Sequence, residues 1–160
     1  MTLSLFAAFL LVAALEDVRR YRIPNVVIVI LAAIYPVYIF VAPFEVSFAW
    51  SFGVATTFFL IGVGLFAAGI MGGGDVKLMT VAGLWAGLEG LFPFLIGMAL
   101  VGGAMSLFMM MAPARNGCAY LCAHMGLYSI QEKIMTDKLP YGVAICAGGL
   151  YAAYTIYGVA

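Results

Sequence analysis

Long apolar runs with few polar breaks are what most limit this chain. About twenty apolar residues in a helix cross the ~30 Å hydrocarbon core of a bilayer. Inside lipid every backbone N–H and C=O must bond within the protein, which leaves helices or a closed barrel. Barrel strands would alternate apolar and polar residues, and these runs do not. Composition agrees: 66% of the 160 residues are hydrophobic and 9% are charged, against roughly 25% charged in soluble domains. Mean hydropathy is +1.16. The sequence predicts an all-α, polytopic membrane protein, one membrane-embedded domain over residues 1–160, with the lipid bilayer as an obligatory partner. Net charge is zero, so nothing electrostatic favours nucleic acid as a partner.

Six transmembrane helices are expected. The run over residues 1–15 has the length of a signal peptide. Its basic residues Arg19, Arg20 and Arg22 follow the run instead of preceding it, so it reads as a retained helix continuing to about Arg20. In the turn Tyr21-Arg22-Ile23-Pro24-Asn25, Pro24 disfavours helix at Ile23 and suits the first position of the next helix. The second helix is expected over 24–42, kinked at Pro36, and the third over 46–69. The fourth, over 75–88, is short for a span. Its Gly83 and Gly87 have the GxxxG spacing of close helix packing. The fifth is expected over 91–112, and the sixth runs from Pro140-Tyr141-Gly142 to the C-terminus. Residues 113–139 mix Tyr120, His124 and Gln131 with Leu121, Ile130 and Ile134, the pattern of an amphipathic helix on the membrane surface. Cys118, Cys122 and Cys146 form no CxxC pair and no even set, so neither a disulfide framework nor a metal site is expected. Cys118, Cys122 and His124 read as interface residues.

The charges test this division. Arg19, Arg20, Arg22, Lys77, Arg115, Lys133 and Lys138 are all seven basic residues, and they fall in the first, third and fifth loops. The second and fourth loops carry only Glu45 and Glu89. The positive-inside rule makes the three basic loops cytoplasmic and puts both termini on the outer side.

Met71-Gly72-Gly73-Gly74-Asp75-Val76-Lys77 breaks the longest apolar stretch. Each glycine costs a helix interior roughly 1 kcal/mol against alanine, so the run is read as a loop where backbone turns or another backbone comes close. Asp75 either caps the next helix or is functional, because a carboxylate at the edge of a membrane segment is expensive. Topology puts it on the same side as Asp17, at similar depth, with Asp17 at the charged end of the first helix. Two adjacent carboxylates cannot both ionise cheaply. The ionised one can act as general base on a water while its protonated partner hydrogen-bonds a scissile carbonyl. That is aspartic-protease chemistry, with the glycines admitting an extended substrate backbone beside Asp75. The plain alternative for Asp17 is a solvated helix end satisfied by its arginines.

Gly72-Gly73-Gly74-Asp75 resembles the GxGD motif of membrane aspartic proteases. Asp17, followed by Arg19, Arg20, Arg22 and then Ile23-Pro24-Asn25, resembles the first-aspartate region of type IV prepilin peptidases. Lys77 and the Leu139-Pro140-Tyr141-Gly142 segment also resemble that family. The resemblance covers nearly the whole chain. It implies an aspartic endopeptidase that removes the short basic leader of pilin-like precursors, each with an apolar helix, at the cytoplasmic face of a prokaryotic plasma (inner) membrane. It implies Asp17 and Asp75 as the catalytic pair, no metal and no cofactor. Gly72, Gly73, Gly74, Lys77, Pro24 and Asn25 are implied to bind or position substrate. Many members carry an added region with paired CxxC motifs, associated with N-methylation. This chain lacks CxxC and is similar to short forms serving tight-adherence pili, so methyltransfer is not expected. Archaeal preflagellin peptidases are related. Presenilin-type proteases share GxGD, but set their first aspartate in a different context. The rival is a small transporter that binds protons or cations with the two carboxylates. Both acids lie near one face, whereas transport sites usually lie at the midplane.

Overall fold

The computed structural model describes residues 2–42, 46–126 and 139–159. Among these residues the fold is all-helical. Seven helices follow one another: α1 (Thr2–Arg20), α2 (Asn25–Val41), α3 (Phe48–Ala67), α4 (Gly73–Ala86), α5 (Leu91–Met110), α6 (Ala112–His124) and α7 (Tyr141–Val159). α3 and α5 are long and apolar enough to cross a membrane. Both turn bulky apolar side chains outward, among them Phe52 and Leu60 on α3 and Phe92 and Leu100 on α5. Apolar surface on that scale is stable only against lipid or another protein.

α4 is the centre of the bundle, touching α2, α3, α5 and α7, while α1 packs against α2 and α7. With 14 residues it is about 21 Å long. Val76, Leu78, Met79, Val81, Ala82, Trp85 and Ala86 bury it nearly all round, as expected of a helix enclosed by others. Glycine lets α3 come close. A methyl group on Gly83 would run into the Phe58 ring, and one on Gly62 would lie 2.7 Å from Val76 Cγ1. The GxxxG pair divides its work. Gly83 packs against α3, whereas Gly87, at φ +58°, closes the helix, donating its N–H to the Gly83 carbonyl.

The far end of α4 is pinned by aromatic rings. Trp85 stacks between Phe6 of α1 (centroids 4.6 Å apart) and Tyr38 of α2 (4.7 Å). Its indole N–H donates to the Leu31 carbonyl at 3.0 Å. The stack joins α1, α2 and α4 at one height.

One expectation is corrected. The glycine run is not a loop throughout: Gly72 is the N-cap of α4, and Gly73 and Gly74 are its first two residues. The stretch after α5, read as helical over 113–139, is a helix over Ala112–His124, with Pro113 in the opening turn, where a missing N–H loses nothing. Glu45, Lys133, Lys138 and the amphipathic pattern over 127–138 lie outside the described residues.

Candidate active site

Asp17 lies in the last turn of α1 and Asp75 in the first turn of α4. Starting from the Phe6–Trp85 stack, Asp17 is eleven residues along α1 and Asp75 ten residues back along α4. At 1.5 Å per residue these are climbs of about 16 Å and about 15 Å. The two carboxylates therefore arrive level, on the wall of one cavity of about 300 Å³. Both are buried, at 4% and 9% exposure. A solvated helix end does not describe Asp17. The carboxylate nearer solvent is Glu16, one residue before it, half-buried and with its Oε2 3.2 Å from Nε of the exposed Arg20.

Each aspartate is held by a glycine amide. Gly72 N–H donates to Asp75 Oδ2 at 3.2 Å, reaching across the first turn of α4. Gly142 N–H, at the start of α7, donates to Asp17 Oδ2 at 2.8 Å. Asp75 Oδ1 is buried and has no hydrogen-bond partner among the described residues. A buried polar atom of that kind ordinarily finds water or a ligand.

The other expected residues divide. Gly72, Gly73, Gly74 and Asn25 line the cavity with the aspartates. Lys77 and Pro24 do not. Lys77 Nζ instead donates to Asn25 Oδ1 at 3.2 Å, bridging the starts of α4 and α2. Pro24 is the N-cap of α2, and its carbonyl accepts the Val27 N–H. Gly74 faces Ile23, where a methyl group would sit 3.4 Å from the Ile23 Cβ, so the α4 start rests against the turn that follows Asp17.

Tyr21, Arg22 and Ile23 also line the cavity, and the sequence marks none of them as site residues. Tyr21 is a non-glycine residue at positive φ, +49°, and its N–H donates to the Asp17 carbonyl. A bulky side chain rarely adopts that conformation, and no sequence pattern announces it. Gly142 was visible only as part of the Leu139-Pro140-Tyr141-Gly142 segment. Cys118 and Cys122 lie on α6, where Tyr120 stacks on His124 with centroids 5.7 Å apart. No group of three metal-ligating side chains gathers among the described residues.

The model of the type IV leader peptidase family matches residues 4–107, which include both aspartates and the glycine run. No curated protein and no solved structure matches the chain.

Proposed function

Because the chain belongs to the type IV leader peptidase family, we propose that it is a membrane aspartic endopeptidase removing the basic leader of pilin-like precursors. The observation that carries this reading is the pair of buried carboxylates, Asp17 and Asp75, on one cavity wall. The pair holds one proton between them. The ionised carboxylate takes a proton from water as the water oxygen bonds to the scissile carbonyl carbon. The protonated carboxyl gives its proton to the carbonyl oxygen, stabilising the tetrahedral intermediate. On collapse the C–N bond breaks, the leaving amine takes the proton gained from water, and the intermediate's hydroxyl proton returns to the second carboxylate. This chemistry calls for no metal or cofactor. Membership in a peptidase family favours it over the two-carboxylate transporter.

Around the pair, Gly72, Gly73 and Gly74 present backbone without side chains to the cavity, leaving room for an extended substrate. The Lys77–Asn25 bridge and the Pro24 cap hold the rim of the cavity together. α1 to α5 and α7 are the six membrane helices of a single domain. The basic residues beside the cavity mark the cytoplasmic face of a prokaryotic plasma membrane, and both termini face outward. A precursor with its basic leader inside and one apolar helix brings its leader junction to the depth of Asp17 and Asp75. The junction must be extended, because a helix hides its carbonyls in internal hydrogen bonds. Glycine there eases both extension and close approach.

Purified protein in lipid, incubated with such a precursor, should release the leader by one cut just before the apolar run, read by mass spectrometry. A cut in the middle of the span, or release of a fragment from the outer face, would contradict the reading.

A further inference from the structure

Gly142 lies outside the stretch that matches the peptidase family and 125 residues from Asp17 in sequence. It is the second residue of α7, where backbone N–H groups have no partner within the helix. Its N–H is spent on Asp17 Oδ2, at 2.8 Å and away from solvent. A methyl group at Gly142 would lie 2.8 Å from that same oxygen, 3.0 Å from Asp17 Cβ and 3.1 Å from Cγ. The first is closer than real Cβ contacts come and the other two are tight, so the Asp17 carboxylate would have to shift from its place.

The other aspartate is treated alike. Gly72 N–H donates to Asp75 Oδ2 at 3.2 Å, and a methyl group on Gly72 would lie 2.9 Å from that oxygen. In both cases a glycine at a helix start supplies the amide, and its lack of a side chain admits the carboxylate. We propose that Gly142 is a positioning residue of the dyad, holding Asp17 as Gly72 holds Asp75. α7 is built for this reach. Gly149, seven residues on, lets Leu10 of α1 approach, and a methyl group there would lie 2.6 Å from Leu10 Cδ1. Leu10 is seven residues before Asp17, so the antiparallel helices stay in step and the α7 start meets the carboxylate. Sequence spacing shows no link between residues 17 and 142; only the packed bundle makes one.

The inference rests on the peptidase reading, and its test separates the two. In purified full-length protein, Gly142→Ala should lower kcat roughly 10- to 100-fold, because a displacement of about 1 Å in a catalytic group has that effect, with KM within twofold. Replacing Gly142 by glycolic acid, a backbone ester that deletes the N–H without adding bulk, should also lower kcat. Gly103→Ala, on an open face of α5, should cleave like the parent. The second arm needs no cleavage. Gly142→Ala should lower the Tm of the parent, and by less than half as much in an Asp17→Ala background, where two of the three crowded atoms are gone. Parental kcat in both the alanine and ester variants, or an equal loss of Tm in both backgrounds, would overturn the proposal. Failure of the parent itself to cut a precursor would instead fault the peptidase reading, with the Tm cycle still deciding the contact.

Discussion

Gly72 and Asp75 form a unit that neither residue type makes alone. The carboxylate at the third position of α4 reaches back to the N-cap amide, an acceptor where helix starts have unpaired donors and favour negative charge. Alanine at 72 would crowd Asp75 Oδ2. Alanine at 73 or 74 meets Phe66 or Ile23 at ordinary distances, 3.6 and 3.4 Å. Gly72→Ala should therefore lower kcat by roughly 10- to 100-fold. Gly73→Ala and Gly74→Ala should keep kcat and raise KM if substrate backbone passes along them. Steady-state kinetics on the three variants checks this, and equal losses of kcat at all three would contradict it. The two aspartates were legible in the sequence because each sits in a local pattern, GGGD and the acid before an Ile-Pro-Asn turn. Gly142 and Tyr21 were not. One depends on packing between distant helices, and the other on a backbone angle that tyrosine does not advertise.

Among the elements, six of the seven helices follow the apolar runs to within a few residues, because lipid and core both demand continuous apolar surface. The misreading falls at a helix start. Glycine weakens a helix interior, yet it is well suited to the N-cap, and Gly72 caps α4 while Gly73 and Gly74 open it where sequence rules suggested a loop. The register between α1 and α4 was also illegible, since it depends on Trp85 lying between Phe6 and Tyr38. Trp85→Ala removes both stacks and should destabilise the fold by about 3–5 kcal/mol. It should also depress cleavage, although Trp85 is ten residues from Asp75. Trp85→Phe keeps an aromatic ring but loses the N–H to the Leu31 carbonyl, a loss of about 1 kcal/mol, and should retain most activity. Unfolding in detergent alongside cleavage assays would show it. An alanine variant with parental cleavage would mean that the stack does not set the height of the aspartates.

At the scale of the molecule, charge and packing point the same way. Arg22 lines the cavity of the aspartates and Lys77 stands beside it at the α4 start. Glu89 lies past the far end of α4, beside Trp50 and Ser51. If the basic end is cytoplasmic, as the positive-inside rule proposes, a cysteine at 89 in a cysteine-free background should react with an impermeant thiol reagent on intact cells, and one at 77 should not. The reverse pattern would invert the topology and put the cavity outside. The central claim is that two carboxylates, 58 positions apart in sequence and level in the fold, act as one catalytic unit. Its most direct test is cleavage of a pilin-like precursor by purified Asp17→Asn, Asp75→Asn and the double variant, each shown to be folded. Each single variant should lose cleavage to background, and the double should be no worse than either, because residues acting as a unit do not add. Parental cleavage by either single variant would contradict the account.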